Sequence, residues 1–468
     1  MRTFCSVPLS AFPRNRMLVA RIARHSLAAL VASALQACAF ADRLPGLLGN
    51  LEPSPTVAAS VVPATVFATP PAVASATGPA PEELHQLQQE IVYLRGLTPT
   101  GPLAEARLPS NAIRQHLLDD FLGDYTREQA ADEGRLYSLL GLLESDIDLW
   151  TLYRDLYSEQ FAGYYDPQVE TMYIVAGQEW TGVERLTYVH EFTHMLQDQI
   201  HDFEAGLMYS EEACREKRER CRALSALIEG DATLVEEQWL RTFARPEDLE
   251  ELLAFSSTIG SPVLDSAPAF LQKDFLFPYE QGLEYIRTLY LRDGWASVDR
   301  VYLDPPESTE EILHPGISPG PAATVDLGDL TAALGEGWRE LGAGVLGEWY
   351  TRLMLEARLA GDEAGTAAAG WGGDAYVALR NDATGNEALA LLTVWDRPRD
   401  AYEFAAAMVR LAEVRFGPTT GASAGSTWTW REGTVRLERA YTQTLWILAP
   451  SAAAAEALRR AVEFPVSP

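Results

Sequence analysis

Thr187 to Gln199 contains His190, Glu191 and His194, a spacing of residue types that can do metal chemistry. Positions four apart share one face of an α-helix, so the imidazoles of His190 and His194 can meet on one ion. Glu191 leaves the helix in another direction, where it can hold a water beside that ion and take its proton. The chemistry predicted is hydrolysis by metal-activated water, with Zn2+ as the cofactor that this donor set suits. Tyr188, Val189, Phe192, Met195 and Leu196 supply the apolar surroundings that would bury such a helix.

A catalytic zinc takes a third protein ligand and keeps one position open. Glu229 is the leading choice, a carboxylate in the otherwise apolar, helix-compatible run Ala226 to Leu234. Asp231 could then accept a hydrogen bond from a ligand histidine, as carboxylates behind metal ligands do. His201 competes with Glu229 but lies seven residues beyond His194, whereas the extended three-histidine pattern places its third histidine six beyond and a glycine between; here Ile200 and Gln197 fill those places. His314, at the end of a short turn that Ser308 or Thr309 could cap, is the leading catalytic donor to a developing oxyanion. Tyr164, Tyr165 and Tyr173 are further candidates for that role.

His190-Glu191-x-x-His194 together with Glu229 resembles the glutamate-ligand zinc metallopeptidases, the gluzincins. With Leu196-Gln197-Asp198-Gln199 after the motif, the chain is similar to a bacterial family of exported His-Glu-x-x-His proteins. Tyr164-Tyr-Asp-Pro167, Pro305 to Pro315 and Trp371-Gly-Gly-Asp374 extend the similarity over about residues 155 to 380. The resemblance implies His190, His194 and Glu229 as zinc ligands and Glu191 as general base. The spacing after Glu229 departs from the usual Glu-x-x-x-Asp arrangement.

Several elements must position these groups. Pro81 to Leu97 has the apolar spacing of an amphipathic helix, and Leu136–Leu143 and Leu149–Leu156 continue a mainly helical layer. Met172 to Val175 reads as a short strand after the Asp166-Pro167 turn. Leu327 to Ala360 reads as more helix, and Trp371 to Asp374 as a turn into a strand over Ala375 to Leu379. Leu389–Val394 and Thr444–Leu448 read as strands, Tyr402–Val414 and Ala452–Val462 as helices. The fold class expected is α+β: a mainly helical zinc-metallopeptidase core over 81–370 and a small mixed α/β region over 371–468, which could be integral to the core.

The amino terminus has the charge order of an export signal. Arg14, Arg16, Arg21 and Arg24 precede the apolar run Leu27 to Leu35, and no acid occurs before Asp42. Leu35-Gln-Ala-Cys38 resembles a bacterial lipoprotein box, making residues 1–37 a signal peptide, with Met17 as an alternative start, and Cys38 the lipidation site. Residues 38–80, rich in Ala, Pro, Ser and Thr, read as a tether. Lipid-mediated membrane attachment follows, or secretion if Cys38 is unmodified. Cys214 and Cys221 are then free thiols or a disulfide; an unbroken helix would hold them about 10.5 Å apart, so a bond requires a break between them.

The chain has 468 residues and 47% hydrophobic composition, enough for a substantial core. Its 37 basic against 66 acidic residues give a net charge of -29, a field that repels nucleic acid. The function expected is hydrolysis of a peptide or protein substrate outside the cytoplasm. The alternatives are a noncatalytic zinc-containing lipoprotein or protein-binding module, and a zinc amidohydrolase of cell-wall peptides.

Overall fold

The computed structural model describes residues 79–465 except 124, 145–146, 159–162, 178, 259–261, 318, 420–424 and 431–432. The signal, the tether and Cys38 lie outside the described residues. Helix Pro81–Arg95 opens the fold, with proline in its first turn and Gly96 in the left-handed region at its end. Leu84, Leu87 and Ile91 recur at helical spacing and sink into a cluster with Leu186, Val189 and Phe192 of the motif helix.

Three short strands, β1 (Ala104–Leu108), β2 (Gly163–Asp166) and β3 (Thr171–Val175), form a sheet in the order β1-β3-β2. β3 covers the expected Met172–Val175 strand, and β2 lies against the motif helix, Gly182–His201. That helix is started by a reciprocal cap between Thr181 and Glu184, which satisfies donors its first turn would otherwise leave bare.

After the motif helix, Lys217 breaks the chain between helix Glu211–Glu216 and helix Arg218–Thr242. The break brings the Cα atoms of Cys214 and Cys221 to 5.5 Å, and the two form a disulfide. Helix Arg218–Thr242, which carries Glu229, crosses helix Ala269–Asp293 at two glycines. A Cβ on Gly230 would stand 2.2 Å from the backbone of Gly282, and one on Gly282 would stand 2.2 Å from the Ala226 carbonyl. Only backbone-to-backbone contact fits there, and it sets Tyr279 of the second helix against the metal-site residues.

The carboxy-terminal region is an antiparallel sheet of β4 (Trp338–Gly344), β5 (Trp371–Asn381), β6 (Asn386–Trp395), β7 (Gly425–Trp430), β8 (Gly433–Ala440) and β9 (Gln443–Ala449), in the order β4-β5-β6-β9-β8-β7. Leu389 and Leu391 point into the main core, while Ala388, Ala390 and Leu392 point into a second cluster with Leu330, Ala455 and Leu458. Both faces are therefore covered, which explains an apolar run without alternation. Helices Pro398–Phe416 and Arg127–Leu140 pack on the first face, and Leu330–Leu334 and Ala452–Ala461 on the other. The fold is α+β.

Two local expectations fail. Leu327–Ala360 is not continuous helix: β4 interrupts it between helices Leu330–Leu334 and Gly347–Glu356. Gly335 and Gly337, at φ 94 and 88, end the helical path; pairing with β5 claims Trp338, and Leu341, whose spacing from it had looked helical, falls at a bulge in that pairing. The six-stranded sheet consequently begins before residue 371. Trp371–Asp374 is not a turn but the start of β5; Gly373, at φ 141, admits the crossing backbone of Ala323, whose amide donates to Gly372.

A buried joint ties this sheet to the Glu229 helix. Glu219 accepts from the Thr309 amide at 2.6 Å and its hydroxyl at 2.5 Å, and the Trp349 amide donates to that hydroxyl at 3.1 Å. Asp374 accepts from the amides of Leu346 at 2.8 Å and Gly347 at 3.0 Å, and from Trp371 Nε1 at 2.7 Å. The segments around Thr309 and Trp371 thus work as a brace.

Candidate metal centre

His190 and His194 are one turn apart on the motif helix, their rings crossing at 85°. Their Nε2 atoms lie 2.9 Å apart, and Glu229 Oε2 is 3.0 Å from the first and 3.2 Å from the second. Atoms bonded to one tetrahedral zinc at ordinary lengths stand about 3.3 Å apart, so the triangle has the size the ion requires. Among the described residues this is the group of His, Cys, Asp and Glu side chains close enough together to hold a metal.

The surrounding hydrogen bonds fix what these atoms present. Gln197 Nε2 donates to the Ile228 carbonyl at 3.0 Å, which turns its Oε1 toward His194 Nδ1 at 2.8 Å. His194 therefore carries its proton on Nδ1 and offers the lone pair of Nε2 to the centre. Glu236 Oε1 stands 3.2 Å from His190 Nδ1, off the line of an ideal hydrogen bond, and favours the same tautomer there. With both histidines in that tautomer, three acceptors converge, an arrangement that could hold a cation.

The electrostatics agree. Burial pushes the two imidazoles toward neutrality, but Glu236 and Glu229 overcome it at His190 and Glu229 overcomes it at His194, so both are raised. Glu229, despite burial, is held well below the usual carboxylate range by His194 and His190. Burial raises Glu191 to about 7, against the pull of both histidines. Its Oε2 accepts from the Tyr165 amide at 2.8 Å, while Oε1 is buried with no partner. His190 and Glu191 are 0% exposed, His194 2% and Glu229 4%.

The sequence missed three members of this site. Glu236 is seven residues after Glu229, two turns along the same helix face, and Gln197 is three after His194; both spacings were legible. Tyr279 comes from a distant helix and carried no local signal. Its ring lies 6.2 Å from that of His190, and burial followed by the charges of Glu229 and Glu191 keeps its phenol protonated. The hydroxyl, near Glu229, makes no hydrogen bond of ordinary geometry.

Other expected residues lie elsewhere. Asp231 touches no ligand histidine: Arg95 grips it at 2.7 and 3.0 Å and the Tyr302 hydroxyl donates to it at 2.9 Å. It points off the metal face because it is two residues, about 200° of helix, from Glu229. His314 pairs with Glu348 at 2.8 Å in a group with Glu310 and Arg352, and does not join the metal-site residues. His201 stacks on Tyr302 at 3.9 Å. Tyr164 pairs with His116 Nδ1 at 3.0 Å and stacks on Tyr173, and the Tyr165 hydroxyl donates to Asp198 at 2.7 Å.

Residues 336–459, which contain the six-stranded sheet, match the family model of a domain of unknown function (DUF8575). That match begins beyond His190, Glu191, His194 and Glu229. No curated protein and no solved structure matches the chain.

Proposed function

We propose that the chain is a zinc-dependent hydrolase of peptide bonds. The observation that carries this reading is an acceptor-only triangle of His190, His194 and Glu229 with a buried carboxylate beside it, Glu191, one of whose oxygens is unpartnered. A cation held by the triangle supplies Lewis acidity, polarising the scissile carbonyl and making water more acidic. Glu191, held through its other oxygen by β2, takes the proton from water and returns it to the departing amine. Tyr279, kept protonated by its surroundings, donates to the developing oxyanion in place of His314. The disulfide supports an oxidising compartment, in keeping with export and anchoring through Cys38.

A noncatalytic metal site is the second reading, favoured by the near-complete burial of all four residues. Metal analysis and mass-spectrometric cleavage profiling of a diverse peptide mixture, with the wild-type chain beside Glu191→Gln, separate the two. Catalysis requires stoichiometric zinc in both proteins, and cleavage by wild type that chelation abolishes and the variant lacks by about 100-fold or more. Stoichiometric zinc without cleavage supports the noncatalytic reading; absence of zinc from metal-replete protein overturns both.

A further inference from the structure

β4 is an outer strand of the six-stranded sheet, with β5 as its one strand neighbour. Residues 340 to 345 form one wall of a cavity of about 780 Å3, a volume suited to a small ligand or a short peptide. Gly342, Ala343 and Gly344 leave the backbone of that wall nearly bare. Helix Arg127–Leu140 touches both β4 and β6, so it lies over one face of the sheet, and helix Leu330–Leu334 covers the other. Ala375, Tyr376 and Val377 of β5 line the cavity too, so it takes in the β4 edge and part of the sheet behind it.

Arg218 lines the same cavity, half-buried. Its contact is the Tyr376 hydroxyl at 3.4 Å, and among the described residues it forms no ion pair, in a chain whose net charge is -29. Glu133, the buried acid in its field, already accepts from the hydroxyls of Tyr125 at 2.5 Å and Tyr137 at 2.7 Å. The guanidinium therefore has donors left for a carboxylate from outside.

We propose that this cavity binds an extended peptide by strand addition to β4, with the peptide's C-terminal carboxylate held by Arg218. A strand edge offers N–H and C=O groups at a fixed repeat that an extended backbone matches. Beyond the bulge between Glu340 and Gly342 the regular edge, residues 342 to 344, spans about 10 Å, enough to pair the last three or so residues of a short peptide. The site stands apart from the metal centre: Glu219, also in its wall, precedes Glu229 on one helix by ten residues, about 15 Å of rise.

The test uses the full-length Glu191→Gln chain and fluorescein-labelled Thr-Val-Thr-Val-Thr with a free carboxylate, read by fluorescence anisotropy and by amide hydrogen exchange. Saturable binding with slowed exchange over residues 341–344 is expected. Of two peptides N-methylated at alternate residues, one should weaken by about tenfold or more and the other bind nearly as the parent, because alternate amides face β4. C-terminal amidation and Arg218→Gln should each weaken binding by about tenfold and add little to one another. No saturable binding, protection elsewhere than β4, or equal tolerance of both methylated peptides overturns the proposal. The peptide controls leave the protein's folding untouched, and no hydrolysis is read, so failure of the metal site would not imitate failure here.

Discussion

Asp374 and Glu229 are both buried carboxylates, 2% and 4% exposed, and their surroundings differ in kind. Asp374 meets three N–H donors, from Leu346, Gly347 and Trp371, and burial raises it to about 6. Glu229 meets two imidazole nitrogens and, among the described residues, no N–H of the backbone, and His194 and His190 hold it well below the usual carboxylate range. Asp374 draws its partners from the chain, whereas on the proposed reading the Glu229 triangle takes a cation. Burial alone thus says little about function; the sign of what converges on the buried group says more.

Substitution at Glu229 should produce the largest effect. Glu229→Gln removes the ligand charge, and zinc affinity should fall by more than about 100-fold, measured by competition with a chromophoric chelator; loss of a supporting partner alone costs 10–100-fold. Zinc at about a thousandfold excess over its dissociation constant should stabilise wild type by about 4 kcal/mol and the variant far less. Equal thermal shifts would break the contrast. Asp374→Ala should do the reverse, costing about 3–5 kcal/mol in urea unfolding because three buried donors lose their acceptor, with zinc affinity unchanged. Glu236→Gln should be milder, lowering zinc affinity about 10-fold in the same competition assay by loosening His190. An unchanged affinity would remove Glu236 from the site.

The difference between these regions also governed what the sequence disclosed. His190, Glu191 and His194 could be read because one helix carries all three, and helical spacing specifies which side chains share a face. Glu229 was accessible through an acid standing in an apolar run. Asp231 looked equivalent by composition, but the angle of about 200° between neighbours two apart sends it to Arg95 instead. Tyr279 was hidden because its position depends on Gly230 meeting Gly282 across two helices, a contact without periodic signature. The sheet was partly legible for a similar reason: Leu389 to Val394 announces β6, while β4, with three of its seven positions Gly or Ala, is defined by pairing with β5.

Glu219 tests the brace at its least complete point and should give the smallest effect. Burial raises its carboxyl to about 7, outweighing Arg222 and the two Thr309 donors, and its Oε2 has no hydrogen-bond partner. A raised carboxyl contributes stability that is full below the unfolded value of about 4.5 and is lost as pH rises through about 7. Glu219→Gln retains an oxygen for Thr309 and cannot ionise, so it should flatten that loss. Urea midpoints at pH 5 and pH 8 should converge in the variant relative to wild type. Glu310, which burial and Glu348 raise to about 8, titrates in the same window but is present in both proteins, so it largely cancels in the comparison. Parallel pH profiles for the two proteins would show that Glu219 ionises in the brace as it does in the unfolded chain, and would remove it as the brace's least complete point.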